Sequence, residues 1–383
     1  MKRIVFFSTP AFGHINSVYP VISKLVKNNY QVDWYCSKKY KQFVEQTGAN
    51  FIEYKVDFDK YSLSDLTANF YNLYQGLLSL NRECYLEYLN DIRNNKPDLI
   101  IYDSMCSFAK NISKKLNIKS VCFCTTMAYN SFTFTFSNMF FSTIKLMCKN
   151  LKSIIKLYKE EKKFRKDNEV VKLNVMDLFV NKGDITLVFT PKELQPFYKT
   201  FPKNFVFVGT TIKDRITNKT KYDKYDTYIS LGSIFTENND LLNKIVDSEL
   251  LKNKKSIMSV GNLKIDNSKN VEFVKSTDQL SLLPNIELFI NHGGLNSVYE
   301  SLYFGKFQIC IPQQEEQRMT AIIVNKKKIG LYIKNFDNLK KDKIELCKKE
   351  YKKNIDKYKN IIKSYDGTKI AFDNIERLIK WDV

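Results

Sequence analysis

The chain has 383 residues but no long hydrophobic run. No window holds about 18 consecutive apolar residues, the length that a transmembrane helix needs, so the sequence predicts no membrane span. The first apolar run, residues 4–7, ends at Ser8 and is followed closely by Pro10 and Gly13. This run is too short for the hydrophobic segment of a signal peptide, and we therefore expect a cytoplasmic protein that begins with a β-strand.

The sequence also lacks the cysteine and histidine groupings that bind metals. Its 8 cysteines have no regular spacing. Cys122 and Cys124 form a Cys-x-Cys pair, but no second pair and no nearby histidine complete a ligand set. We expect no metal, and we interpret the cysteines as small buried apolar residues in a reducing compartment.

Recognised nucleic-acid-binding motifs are absent as well, although the net charge is +20. The lysines are scattered except in two denser stretches, 145–166 and 326–363, which also contain acidic residues and helical apolar spacing. We interpret both stretches as solvated helix faces and expect no nucleic-acid partner. Peripheral contact with an anionic membrane surface is the second interpretation.

Short apolar runs alternate with helical patterns in both halves of the chain, which is typical of parallel sheets with helices on both faces. A chain of 383 residues exceeds one typical core. The polar segment 210–227 lacks the alternation and is expected to be a linker. The sequence therefore predicts an α/β protein with two Rossmann-like doubly wound domains, 1–209 and 228–365, facing across a cleft. Residues 366–383 are expected to form a C-terminal helix that packs back on the first domain.

The whole sequence has only two histidines, His14 and His292. Each follows a predicted strand in a glycine-containing turn, so we expect one at the carboxyl edge of each sheet. A single histidine is usually structural, but imidazole is also the side chain best suited to accept a proton near neutral pH. Asp103 ends another predicted strand of the first half. It can orient His14 and stabilise the imidazolium, or it can cap the helix that follows, and the sequence favours neither role.

A glycine pair, Gly293-Gly294, follows His292 and precedes a predicted helix. Glycines let the backbone approach an anion closely, and the start of a helix presents N–H groups and the positive end of the helix dipole. Asn296 and Ser297 add short polar side chains at that end. The pattern fits a diphosphate site, although a glycine pair before a helix also occurs as a simple tight turn.

Two further polar groups fit a sugar nucleotide. Glu300 lies one turn into the same helix, where a carboxylate can accept hydrogen bonds from both hydroxyls of a ribose, or can simply interact with the helix dipole. Glu316 and Gln317 follow the next predicted strand. They can bind the hydroxyls of a sugar, or they can form an ordinary polar helix start.

Four motifs, in the same order along the chain, resemble those of family 1 glycosyltransferases with the GT-B fold, and most closely the bacterial macrolide-type enzymes. The motifs are STPAFGHINSVYP, KPDLIIYDSM, YISLGSIF at 228–235, and HGGLNSVYESLYFG followed by PQQEEQ. Gln279 stands at the expected distance ahead of the last motif. Four positions depart from the family pattern. Ser276 replaces the aromatic residue that usually stacks on the base, Asp278 and Ser17 each replace a proline, and the usual proline after Gly305 is missing.

The resemblance implies that His14 is the catalytic base and that Asp103 is its partner. It also implies donor-binding roles for a set of residues in the second half of the chain. The diphosphate would be bound by His292, Gly294, Asn296 and Ser297, the ribose by Glu300, and the sugar by Glu316 and Gln317, with Gly232, Ser233 and Gln279 near the nucleotide.

The implied reaction is an inverting, metal-independent transfer of a sugar, expected to be glucose, from a UDP-sugar to a hydroxyl of a small apolar acceptor such as a macrolide, polyketide or flavonoid-like compound. The UDP-sugar is a substrate, and no cofactor is expected. The first domain would bind the acceptor and the second the nucleotide sugar. The aromatic stretch 129–141 is the expected acceptor wall, although its alternation also fits a core strand. The expected pocket residues are Phe12, Phe132, Phe134 and Phe136.

Three alternatives to this function stay open. A lipid acceptor at the membrane surface is the first, because residues 144–163 are basic and amphipathic, like helices that lie at such surfaces. A non-catalytic nucleotide-binding partner of another transferase is the second, and the presence of both His14 and Asp103 disfavours it. A sugar-nucleotide epimerase is the third, and it lacks an identifiable acid–base set.

Overall fold

The computed structural model divides the chain into two compact units. The first unit comprises residues 1–211 and 366–383, and the second comprises residues 212–365. The structure describes residues 1–58, 60, 70–135, 150–168, 170, 181–217, 222, 224–232, 239–261, 263, 270–334 and 340–380. Within these ranges, no helix has the length and apolar character needed to cross a membrane.

The first unit is built on a sheet of seven parallel strands in the order β3-β2-β1-β4-β5-β6-β7. The strands are β1 (Arg3–Phe7), β2 (Gln31–Cys36), β3 (Asn50–Glu53), β4 (Leu99–Asp103), β5 (Ser120–Cys124), β6 (Ile185–Val188) and β7 (Phe205–Phe207). The helices that precede the second unit are α1 (Phe12–Lys27), α2 (Lys41–Glu45), α3 (Phe70–Asn94), α4 (Ser107–Lys115), α5 (Ser131–Thr135) and α6 (Leu151–Asn168).

Side chains of β1 alternate between the two faces of this sheet. Ile4 and Phe6 pack into one core together with α1, whereas Val5 and Phe7 pack into a second core together with α3 and α4. Helices therefore cover both faces of the sheet. This explains why β1 and β4 are continuous apolar runs in the sequence rather than alternating ones.

The second unit is built on six parallel strands in the order β10-β9-β8-β11-β12-β13. The strands are β8 (Thr227–Ser230), β9 (Ser256–Ser259), β10 (Val271–Val274), β11 (Leu288–Asn291), β12 (Phe307–Cys310) and β13 (Leu331–Tyr332). The helices are α7 (Asn239–Val246), α8 (Gln279–Leu282), α9 (Leu295–Tyr303), α10 (Glu315–Lys326) and α11 (Lys341–Ser364). The rings of Tyr228 and Phe289, from the neighbouring strands β8 and β11, stack with their centroids 4.9 Å apart.

The last described helix, α12 (Gly367–Lys380), belongs to the first unit. Nζ of Lys24, in α1, lies 5.3 Å from the centre of the Phe372 ring. Ala371 and Ile375 are fully buried in the core that also contains the α1 side chains. The C-terminal helix therefore packs against α1.

The predicted fold class is confirmed as two parallel-sheet α/β domains, but several boundaries differ. The apolar spacing of the sequence predicts a first helix at about 17–28, whereas α1 begins at Phe12, with Ala11 as its N-cap. His14 therefore lies in the first turn of a helix and not in a loop. The sequence does not predict β6, β7 and β13; β7 and β13 have only three and two residues, too few to show a pattern.

The segment 210–227, expected to be a linker, is partly structured. A 3-10 helix spans Ile212–Arg215, and Tyr225 is buried in a core of the second unit. The sequence predicts a linker here because the segment is mostly polar. Its buried apolar residues, Ile212 and Tyr225, are isolated and so form no recognisable pattern.

Candidate active site

The candidate residues form one group in each unit, and each group lies where the strand order of its sheet reverses. Strand β1 lies beside β4 in the first unit, and β8 lies beside β11 in the second. His14 follows β1 and Asp103 ends β4, while Gly232 follows β8 and His292 follows β11. In doubly wound sheets, ligands bind beyond the carboxyl ends of such strands. Motifs that are far apart in sequence thus meet at one edge of each sheet.

His14 and Asp103 form a hydrogen-bonded pair in the first unit. Nδ1 of His14 lies 2.8 Å from Oδ2 of Asp103, and the side chains are 18% and 3% exposed. An ionised carboxylate only accepts hydrogen bonds, so Nδ1 carries the proton and the imidazole lone pair is on Nε2. This is the arrangement of a general base oriented by an acid. The alternative role of Asp103 as a helix cap is wrong, because Cys106 is the N-cap of α4.

The carboxylate of Asp103 accepts four hydrogen bonds. Oδ1 accepts from the Thr9 hydroxyl at 2.8 Å and from the Met105 backbone N–H at 3.0 Å. Oδ2 accepts from His14 and, at 3.2 Å, from the Thr125 hydroxyl. Burial alone raises the pKa of Asp103, but the charge of His14 and these hydrogen bonds outweigh it and hold the pKa below its ordinary value of 3.8. Asp103 is therefore ionised at neutral pH.

Thr9 and Thr125 are site residues that the sequence did not reveal. Oγ1 of Thr125 lies 2.8 Å from Nδ1 of His14 as well as 3.2 Å from Asp103, so this hydroxyl contacts both members of the pair. Thr9 follows β1 and Thr125 follows β5. A polar residue directly beyond an apolar strand, at the same edge as a candidate base, is the signal that identifies both positions.

Two glycines make room for the His292 ring in the second unit. Gly232 has a φ of 93°, and a Cβ there would lie 3.2 Å from Cε1 of His292. A Cβ on Gly294 would overlap Nε2 of the same ring. Nδ1 of His292 lies 3.5 Å from the backbone oxygen of Ser230. The ring is thus held between the end of β8 and the start of α9, where Gly294 is the N-cap.

His292 is neutral at physiological pH. Desolvation by the surrounding protein lowers its pKa from 6.5 to about 4, and the hydrogen bond to Ser230 offsets only part of this effect. Positive potential at this edge comes instead from the first turn of α9, where backbone N–H groups have no intrahelical acceptor. Asn296 and Ser297 are partly exposed in that turn. The arrangement suits an anion.

The first turn of α10 contacts the same glycine loop. Gly293 has a φ of 79°, and a Cβ there would lie 2.8 Å from the backbone oxygen of Gln317. Oε1 of Gln317 accepts hydrogen bonds from the backbone N–H groups of Gln313 and Gln314, at 2.8 and 3.2 Å. This is the helix-start role that the sequence left open for Gln317. Glu316 is exposed beside it.

Glu300 is buried in α9 and accepts two hydrogen bonds. Its Oε1 accepts from Nη1 of Arg215 at 2.8 Å, and its Oε2 accepts from Nε2 of Gln279 at 2.5 Å. The structure thus brings together Gln279 and Glu300, which the motifs linked only by spacing. Arg215 was not predicted, because it lies in the segment interpreted as a linker.

Two of the aromatic residues expected to bind the acceptor are 51% exposed, Phe12 in α1 and Phe132 in α5. The Phe12 ring lies 6.0 Å from that of Phe43, and the Phe132 ring lies 5.9 Å from that of Phe197. Because Ser131–Thr135 is a helix, the alternative that the aromatic stretch is a core strand is wrong for residues 131–135. Three expected side chains lie outside the described part of the structure, those of Phe134, Phe136 and Ser233.

Comparison with known proteins supports a transferase. Residues 224–365 match the family model described as "UDP-glucoronosyl and UDP-glucosyl transferase". The chain is 29% identical to the NDP-glycosyltransferase YjiC of Bacillus licheniformis over 360 residues, which cover 88% of this chain and 86% of that protein. It is 26% identical to the uncharacterized UDP-glucosyltransferase YojK of Bacillus subtilis, with 99% of this chain and 98% of that protein covered.

Solved structures share the fold over the whole chain. The glycotransferase of kitacinnamycin aligns with a TM-score of 0.83 and 20% identity, covering 99% of both chains. CalG4, the calicheamicin glycosyltransferase, aligns with a TM-score of 0.79 and 19% identity, covering 100% of this chain and 99% of that one. Fold and matches together confirm the class expected from the motifs, a GT-B glycosyltransferase. More narrowly, the chain is a homologue of the bacterial NDP-glycosyltransferases.

Proposed function

We propose that this enzyme transfers glucose from UDP-glucose to a hydroxyl of a small apolar acceptor, with inversion at the anomeric carbon and without a metal. The single observation that carries the proposal is the pairing of His14 with the ionised, buried Asp103 at 2.8 Å. A non-catalytic nucleotide-binding protein has no need of such a pair. The free cysteines that the structure describes are all buried, in keeping with a cytoplasmic enzyme.

His14 acts as the general base in this mechanism. Its Nε2 takes the proton of the acceptor hydroxyl while the acceptor oxygen attacks C1 of the sugar. The bond between C1 and the β-phosphate oxygen breaks, and UDP leaves with the electron pair. Asp103 stabilises the imidazolium as it forms. General-base assistance of this kind contributes about 10²–10⁴-fold to the rate.

The second unit binds the donor and stabilises the leaving group. Gly294, Asn296 and Ser297 bring backbone and side-chain donors of the first turn of α9 to the diphosphate, and the neutral ring of His292, whose Nδ1–H is donated to the Ser230 backbone oxygen, packs beside them. Donors fixed before the reaction stabilise the developing charge without the cost of reorganisation. This helix end supplies the electrostatic role that a metal has in other transferases. Glu316 is assigned to the sugar hydroxyls, and Gln317 positions it through the start of α10.

The donor and acceptor classes rest on two kinds of support. The matched family is named for both UDP-glucuronosyl and UDP-glucosyl transfer, and two relatives are named UDP-glucosyltransferases. Structural neighbours are named for antibiotic substrates, including a spinosyn rhamnosyltransferase solved with the spinosyn aglycone. The exposed rings of Phe12 and Phe132 in the unit that contains His14 suit such an apolar, flat acceptor.

Transfer assays with UDP-glucose test this proposal directly. The enzyme would be incubated with a panel of macrolide, polyketide and flavonoid acceptors, with and without EDTA, and the glycoside examined by NMR. We expect a β-glucoside in equal yield under both conditions, because the donor is an α-glucoside. An α-linked product would contradict inversion, and loss of product with EDTA would contradict metal independence.

A lipid acceptor at the membrane surface is the second candidate, and one face of α6 favours it. Leu151, Ile155 and Tyr158 are 57%, 46% and 54% exposed, and their spacing puts them on one side of the helix. A parallel row of lysines follows one position later, at Lys152, Lys156, Lys159 and Lys163. An apolar row beside a basic row is typical of helices that lie on anionic membranes.

Liposome sedimentation separates the two candidates. Binding to vesicles with anionic lipid, lost in a variant with Leu151, Ile155 and Tyr158 all changed to Ser, would favour the lipid acceptor. Equal recovery in the supernatant with anionic and neutral vesicles would favour the small apolar acceptor.

A further inference from the structure

Glu300 is held by a second residue that no motif includes. Arg215 donates from Nη1 to Oε1 of Glu300 at 2.8 Å, and both side chains are only 5% exposed. Gln279 donates to the other carboxylate oxygen at 2.5 Å. Each carboxylate oxygen has two acceptor positions. Arg215 and Gln279 occupy one on each oxygen, which leaves one on each for a ligand with two adjacent hydroxyls.

The stability of the fold does not explain why Arg215 forms a buried ion pair with Glu300. The cost of removing two charges from water offsets most of the attraction in a buried ion pair. Nε of Arg215 is also buried and has no hydrogen-bond partner among the described residues, which adds a further cost. The guanidinium group of Arg215 is planar and rigid, and it therefore fixes the orientation of the Glu300 carboxylate.

We propose that Arg215 is a positioning residue that orients Glu300 to accept both the 2′- and 3′-hydroxyls of the donor ribose, and so selects ribonucleoside over 2′-deoxyribonucleoside diphosphate donors. The inference rests on the proposed donor site in the second unit. Arg215 does not touch the reacting atoms in this account. It acts through Glu300, and its removal leaves the carboxylate free to turn away from one of the two hydroxyls.

Isothermal calorimetry of UDP and 2′-deoxy-UDP binding tests the inference. The readout is the ratio of the Kd for 2′-deoxy-UDP to the Kd for UDP. Wild type is expected to prefer UDP by about ten-fold or more, the effect of one hydrogen bond to a charged group. Arg215→Met is expected to bring the ratio close to one, and Arg215→Lys to lower it partly. Glu300→Gln should also lower the ratio. Because Arg215 acts through Glu300, the variant with both Arg215→Met and Glu300→Gln should have a ratio no lower than that of either single variant.

Lys352→Met is the matched control. It removes a cation from an exposed ion pair with Asp356 in the same unit and should leave the ratio unchanged. A folded Arg215→Met protein with the wild-type ratio would overturn the inference, because Arg215 would then be only structural. If Arg215→Met does not fold, a wild-type ratio in Arg215→Lys would overturn it equally.

The outcomes also separate this inference from the proposed function. Wild type that binds UDP and 2′-deoxy-UDP equally but still transfers sugar would overturn only the role of Arg215. Wild type that binds no nucleoside diphosphate would overturn the proposed donor site itself.

Discussion

Nδ1 of His14 lies 2.8 Å from Oδ2 of Asp103, although 89 residues separate them in sequence. The contact follows from the strand order, because Phe7 of β1 pairs with Tyr102 of β4 and both chains leave the sheet at the same edge. The first turn of α1 then returns His14 over that edge. His14 and Asp103 are thus positioned by two neighbouring inner strands of the first sheet.

Asp103→Asn should lower kcat without weakening donor binding. An amide gives Nδ1 of His14 a poorer acceptor and no charge to stabilise the imidazolium. We expect kcat to fall about 10²–10⁴-fold while the Kd for UDP stays within two-fold or so. Asp33→Asn is the control, because Asp33 is another buried carboxylate of the same sheet, paired with Arg3. A kcat close to wild type in Asp103→Asn would contradict the assigned role.

Thr125→Val should also slow the reaction, but less. The change keeps the shape of the side chain and removes the hydroxyl that contacts both His14 and Asp103. A hydrogen bond to a charged group contributes about 1.5–3 kcal/mol, so we expect kcat to fall about ten-fold or more. Thr186→Val removes a buried hydroxyl elsewhere in the same sheet and should leave kcat unchanged. Equal kinetics of the two variants would argue against a role for Thr125.

Gly294→Ala should weaken donor binding. Gly294 has an ordinary φ of −62°, so alanine causes no backbone strain there, but its Cβ would overlap Nε2 of His292. We expect the affinity for UDP to fall about ten-fold or more, as when one hydrogen bond to a charged group is lost. Gly305→Ala is the control, since Gly305 has a φ of 67°. It should cost about 1 kcal/mol of stability and leave UDP binding unchanged. Calorimetry and thermal unfolding report the two effects separately.

The low pKa of His292 predicts how stability depends on pH. Its pKa is about 4 in the folded protein and 6.5 when unperturbed, so the unfolded state binds the proton first. A depressed folded pKa contributes stability that is complete above about pH 6.5 and is lost as the pH falls towards 4. The free energy of unfolding of His292→Gln should therefore decline less between pH 7 and pH 4.5 than that of wild type. Parallel pH curves for the two proteins would count against the buried neutral imidazole.

Much of the fold follows from apolar patterning. The sequence pattern predicts strands at 31–36 and 271–274, and β2 and β10 have those bounds. The strands predicted at 4–8, 99–102 and 288–290 differ from β1, β4 and β11 by one residue at one or both ends. The apolar residues of these strands stand out against polar flanks. The start of α1 was missed because Pro10 and Gly13 indicate a turn, whereas the helix begins between them at Phe12 and includes Gly13.

The positions of His14, Asp103 and the glycine loop beyond strand ends could be predicted, because the chain has only two histidines and each follows an apolar run. Thr9 and Thr125 were overlooked although both stand just beyond a strand end, and Arg215 could not be predicted, since its importance depends on a contact with a residue far along the chain. Gln317 shows the opposite case. Its position in the motif predicts a sugar ligand, and its side-chain oxygen also accepts hydrogen bonds at the start of α10, a contact with its own helix start that the motif does not indicate.

Single-turnover transfer by wild type and His14→Ala, with UDP affinity measured on both proteins, tests the central claim most directly. We predict that His14→Ala binds UDP with the wild-type Kd and transfers sugar at least about 10²-fold more slowly. Transfer at the wild-type rate by the folded variant would contradict the assignment of His14 as the base.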